Sequence, residues 1–320
     1  MRVHFTTVVR KVPADQGGAY RCADLSTRTL LHETPVRPSD PDVHHANPRG
    51  GARGGRGVII RPDEVIVASY HTLLRFDRDF NHIGRIDNNL FVGLHETSPE
   101  NDTIWVTSTA IDAALCIDNQ GSIVDAFWPR EIPSLQKKLN LEPKNVDRSI
   151  DNRVLWLDDK TGKDASHTHL NAVCCHDGEI YLLLNRFGTV WAMREDRPVI
   201  EDPQLDAPHN LVPFRDHWLI NNSRNHSIMI YDAAGQRERA IDLLSFPEIA
   251  SILESASGQD VTAKAFFVRG LNVTPDGKIV VGFSPGTLAT FDFETGALLD
   301  LFQFANDVRV CVHGLEIESD

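Results

Sequence analysis

The segment Arg269–Asp292, RGLNVTPDGKIVVGFSPGTLATFD, decides the fold because the chain repeats it. Arg56–Asp77, RGVIIRPDEVIVASYHTLLRFD, shares its Arg-Gly start, its Pro-Asp turn and its Phe-Asp end, and Ile66 and Ile279 each stand ten residues beyond their arginine. A third copy, His209–Asp232, reads HNLVPFRDHWLINNSRNHSIMIYD, with Asp216 in the place of Asp276 and Leu219 again ten residues on. Looser copies begin at His169 (HLNAVCCHDGEIYLLLNRFGTVWAM) and at Val92 (VGLHETSPENDTIWVTSTAIDAALCID). Each unit is a short inner run, a polar turn, an alternating apolar strand, a second turn, and a strand ending near Asp. Short strands repeating in this way with no long amphipathic helix between them are the cadence of β-propeller blades.

The sixth unit is split. CVHGLEI, from Cys311, has the inner-strand pattern, and the N-terminus supplies three strand-like stretches that lack one: VHFTTVVRK, AYRCADL and TRTLLHE. Joining them makes a complete blade and removes the exposed sheet edges an open array would leave. The sequence therefore predicts an all-β chain, residues 1–320 forming a single six-bladed β-propeller closed by its N- and C-terminal strands. Three long connections, about residues 34–55, 129–166 and 243–266, each join the end of one blade to the start of the next. They fall on the face where the inner strands begin. EIPSLQKKLNL and LLSFPEIASILESAS, within the second and third, predict short helices by their apolar spacing.

The blades FVRGLNVTPDGKIVVGFSPGTLATFDFETG and THLNAVCCHDGEIYLLLNRFGTVWAM resemble the six-bladed superfamily that includes gluconolactonase, regucalcin-like and NHL-repeat proteins. The His-Leu-Asn start followed by Gly-Glu-Ile is also similar to a family of uncharacterised bacterial propellers. The resemblance implies a divalent cation near the axis, held in gluconolactonase-like members by a Glu, Asn and Asp set. Asn171 is the counterpart it offers here.

Composition narrows the function. The 320 residues carry 45 acidic and 32 basic side chains, a net charge of −13, and 41% hydrophobic residues, which is globular rather than disordered. The acidic balance argues against a nucleic-acid partner. No apolar run approaches the roughly 18 residues of a membrane span, and the start MRVHFTTVVRK is unlike a signal peptide. A soluble, cytoplasmic protein is expected. The five cysteines include no C-x-x-C and read as reduced, mostly buried side chains.

The first positions of the inner strands are Arg56, Val92, His169, His209, Arg269 and His313, with His95 three residues beyond Val92. Equivalent strands bring equivalent side chains to one ring around the axis. His95, His169, His209 and His313 are thus candidate ligands for a divalent transition metal, iron or zinc before manganese, since an all-nitrogen set lacks the oxygens that calcium and magnesium prefer. Arg56 and Arg269 suit a carboxylate or phosphate, and Asn171 and His167 join them as candidate substrate-binding residues. The expected function is a metal-dependent enzyme acting on a small anionic molecule, with hydrolase, lyase and oxygenase chemistry all open. The alternative is a non-catalytic binding or scaffold propeller. His44-His45, in the stretch VHHANPRGGARGGRG, read as a loop that could grip an anion, and Cys174-Cys175 alternate across a strand and so do not chelate together.

Overall fold

A computed structural model describes residues 1–37, 54–155, 164–256, 258–259 and 266–318. His44 and His45 lie outside the described residues. The described chain forms six sheets, each antiparallel and four-stranded, arranged as the blades of a propeller. Blades one to five follow sequence order, with inner strands Val58–Ile60, Leu94–Glu100, Leu170–His176, Pro208–Phe214 and Val268–Val273. Blade six runs in the order Val310–Ile317, Arg2–Val9, Ala19–Asp24, Thr29–Pro35. The C-terminal strand is innermost and pairs with the N-terminal one from Val3↔Ile317 to Val9↔Val310. The split sixth unit is therefore closed as the repeat pattern requires.

The blades form because their strands alternate and their hairpins carry turn residues. Gly277, at φ +88°, closes the Pro-Asp-Gly hairpin of blade five in the left-handed conformation that glycine adopts without a Cβ penalty. Successive side chains then face opposite neighbours. Ile228, Ile230, Val281 and Phe291 pack between blades four and five, while Leu183, Ile200, Ile220 and Met229 pack between three and four. Cys174 and Cys175 follow the same alternation: the first joins the cluster toward blade four and the second packs against the cluster toward blade two. All five cysteines are free.

The long connections do carry helices, at Pro133–Leu139, Asn152–Leu155 and Pro247–Ser255. All join an outer strand to the next inner strand, on the face where the inner strands begin.

Five of the six inner strands break register by a bulge, at Asn171, between His209 and Val212, between Val268 and Leu271, between Leu94 and Thr97, and opposite Thr6 in the C-terminal strand. The inner strands also meet backbone to backbone. A Cβ on Gly314 would lie 2.1 Å from the Arg56 carbonyl oxygen, and the Gly314 amide donates to Thr6 Oγ1 at 2.9 Å. Thr6 in turn donates to that same carbonyl. Gly314→Ala is accordingly expected to lose about 1–3 kcal/mol through overpacking at the seam. A thermal midpoint unchanged from the parent, as is expected for the exposed control His82→Ala, would contradict this closure.

Candidate functional site

The bulges set the site. A bulge adds a residue to one strand and re-aims its side chains, and here it delivers His95, His209, Arg269 and His313 to the axis. His95 lies with its ring centroid 4.5 Å from that of His313 and 5.3 Å from that of His209. All three are at most 4% exposed. Val92, the repeat-equivalent position in blade two, is instead buried in the apolar cluster between blades one and two. His169 is half-buried, 5.5 Å from the ring of His167. It adopts φ +54°, in the left-handed region that Gly93 and Gly270 occupy in blades two and five.

Hydrogen bonds fix the proton positions. Asn171 Nδ2 lies 3.0 Å from both the Pro208 carbonyl oxygen and His209 Nε2. An amide nitrogen only donates, so His209 Nε2 accepts and its proton sits on Nδ1. That proton faces the Ala207 carbonyl and Ser223 Oγ, each at 2.8 Å. Ser223 is free to accept because its own hydroxyl donates to the Val268 carbonyl at 2.6 Å. At His313, Nε2 stands 3.4 Å from Arg56 Nη1. Guanidinium has no acceptor, so Nε2 accepts and Nδ1 carries the proton. His313 Nδ1 has no hydrogen-bond partner among the described residues; the same holds for His95 Nδ1 and Asn171 Oδ1.

The arginines are placed by aromatic faces. The Arg269 guanidinium lies 4.4 Å from the Phe267 ring centroid and that of Arg56 lies 5.6 Å from Tyr70. Arg10 also lies over Phe267, at 5.2 Å. Burial, followed by His313 and the charges of Arg56 and Arg269, holds His95 well below its ordinary value of 6.5. His313 is lowered in the same way by burial, Arg269 and Arg56, and His169 is pushed down to about 3, chiefly by burial. These imidazoles are neutral at physiological pH.

Lower on the axis, Glu96 and Glu316 are both pushed up to about 8, first by burial, and Glu96 also by the charge of Glu316. Repeat alignment did not reveal them, because their partners come from other blades. Asp112 was also missed. Its carboxylate, 1% exposed, accepts from Thr168 N at 2.9 Å, Thr168 Oγ1 at 2.7 Å and His169 N at 3.2 Å, and so sets the start of blade three's inner strand. His167 lies behind it, with Nε2 2.8 Å from the Thr109 carbonyl.

Ring contacts, hydrogen bonds and mutual electrostatic influence thus link the eight candidate residues, with His167 set behind Asp112. The four histidines do not fit a shared metal in this arrangement: both His209 nitrogens are engaged, and His313 Nε2 faces a guanidinium. Among the described residues, no group of three His, Cys, Asp or Glu side chains is placed to hold a metal ion.

No known protein-family model matches the sequence, and no curated protein does either. Solved structures do. A chain of a nidogen/laminin complex is 9% identical, covering 98% of this chain and 97% of that one at a TM-score of 0.60. A Bacteroides caccae protein of unknown function is 10% identical over 98% and 97%, at 0.58. A catalytically inactive histidine-to-alanine variant of Staphylococcus aureus virginiamycin B lyase, with quinupristin, is 11% identical over 85% and 73%, at 0.51. What these share with the present chain is the propeller fold. No helix among the described residues is long and apolar enough to cross a membrane.

Titration gives the site a signature. The unfolded chain protonates a histidine below 6.5 while the folded one does not, so the stability owed to neutral His95, His169 and His313 is full above 6.5 and lost as pH falls below it. Glu96 and Glu316 act oppositely: their contribution is full below 4.5 and lost as pH rises toward 8. His95→Gln is expected to flatten the acid limb of urea-unfolding stability by up to about 1.4 kcal/mol per pH unit. An unaltered slope would place the His95 charge in water.

Proposed function

We propose that the axial pocket binds a small anionic substrate and serves proton-transfer chemistry on it. The observation that carries this reading is the His313 Nδ1–H, a buried donor without an acceptor among the described residues, beside the guanidinium groups of Arg56 and Arg269. A buried donor left unmade costs about 1–3 kcal/mol, and a carboxylate or phosphate oxygen would satisfy it. The charged groups besides histidine that do most to lower His95 and His313 are cationic: Arg56, Arg269 and, for His313, Arg10. The local field therefore favours an anion within an acidic protein.

In this reading Arg56 and Arg269 take the anionic group, and Asn171 Oδ1 accepts a hydroxyl or amino proton of the same molecule. His95, neutral and with Nδ1 unpartnered, is the group placed to take or give a proton. His209 holds position, since Asn171, Ala207 and Ser223 fix its tautomer. A non-catalytic scaffold would leave the unpartnered polar atoms without a role. Virginiamycin B lyase, of which a histidine-to-alanine variant is catalytically inactive, makes lyase chemistry the first class to assay.

Calorimetric titration with inorganic phosphate and with malonate tests the reading. Arg269→Met is expected to weaken binding by about 1.5–3 kcal/mol, the range for a hydrogen bond to a charged group, with the thermal midpoint retained. Absence of anion binding at millimolar concentration, or equal affinity in the variant, would overturn it.

A further inference from the structure

Toward the ends of the inner strands, beyond the histidine group, lies a cavity of about 280 Å³. None of the eight axial residues lines it. Its wall includes Glu96 from blade two and Glu316 from blade six, each held through one oxygen. Asn210 Nδ2 donates to Glu96 Oε2 at 2.8 Å, and Asn272 Nδ2 donates to Glu316 Oε2 at 2.7 Å. Thr97 lines the same cavity; it is 8% exposed, and its hydroxyl has no hydrogen-bond partner among the described residues. The remaining wall mixes apolar side chains, Val173, Leu211, Pro213, Leu271 and Leu315, with the polar Ser98, Asn210 and Asn272.

We propose that this cavity is a second binding site, for a small primary alkylammonium ion whose head is held by Glu96, Glu316 and the Thr97 hydroxyl and whose short stem lies against Val173, Leu211, Leu271 and Leu315. It stands apart from the anion pocket, whose residues it does not use. Three donor protons on an ammonium match two carboxyl groups and one hydroxyl. Size and lining argue against a bare metal ion. The space is far larger than one ion fills, and Val173, Leu211, Leu271 and Leu315 offer a dication no ligand in place of its hydration shell.

Each inner strand bordering the cavity contributes a neighbour to the pair. Arg269, from blade five, lowers Glu96, yet burial and Glu316 outweigh it. Asn272 lowers Glu316 against its burial, and Cys174, from blade three, is raised in part by Glu316. Asn210, from blade four, lowers Glu96. The pair consequently retains protons at neutral pH, and an ammonium ion displaces them.

Isothermal titration of the full chain with n-butylammonium chloride tests the proposal, with butan-1-ol as the uncharged control. One equivalent is expected to bind, several-fold tighter at about pH 9 than at about pH 7, with protons released to the buffer as the carboxyls ionise. Glu96→Gln and Glu316→Gln, which preserve shape and the asparagine contacts, are each expected to weaken binding about tenfold or more at the higher pH. Unchanged melting would show that both variants are folded. The proposal fails if butylammonium does not bind at millimolar concentration, if butan-1-ol binds equally, if folded variants keep parental affinity, or if calcium or magnesium binds there and excludes the amine.

Discussion

The pairing of Val310–Ile317 with Arg2–Val9 is the constraint on which everything else depends. Each blade by itself is a four-stranded sheet with two faces to bury, and only a neighbour on both sides buries them. A ring supplies two neighbours to every blade; an open arc leaves two faces in water. The contact that turns the arc into a ring is one antiparallel strand pair, locked at Gly314 where blade six meets the backbone of blade one. Closure also brings six inner strands together, and this assembles both proposed axial sites. His313 and Glu316, one in each site, belong to the closing strand itself.

The axis separates two chemistries a short distance apart. At one end, neutral imidazoles stand among guanidinium groups, and the unpartnered His313 Nδ1–H asks for an acceptor. At the other, two buried carboxyl groups line one cavity and ask for a donor. Consecutive residues of one bulge serve both: His95 belongs to the first group and Glu96 to the second. Burial moves the two kinds of group in opposite directions, imidazoles down and carboxyls up, so that both are held near their neutral forms. The channel thereby confines many ionisable side chains without confining many charges.

The repeats made the architecture legible because blade packing demands the same alternation every time. Arg269, Arg56 and His209 could be aligned for that reason, and the split unit revealed the closure. Side-chain aim was less legible. A bulge shifts register by one residue without a consistent sequence mark, so Val92 occupies the expected position while His95 reaches the axis. The hydrogen-bond roles were hidden too, since Asn171 acts on His209 across a blade boundary and Arg56 acts on His313 from the far end of the chain. Asp112 had no signal beyond being a turn aspartate. Its importance depends on Thr168 and His169, which fold against it from the next blade.

The split blade also bears on how the protein is made. A ribosome that has delivered residues up to Gln303 has completed blades one to five and three strands of the sixth. The Arg2–Val9 strand then still lacks its inner partner, and its edge can pair with another chain. Polypeptide emerges at about 5–20 residues per second, so this unpaired edge persists until Val310–Ile317 has left the exit tunnel. Val310–Ile317, made some three hundred residues after its partner strand, is what removes this edge from the nascent chain.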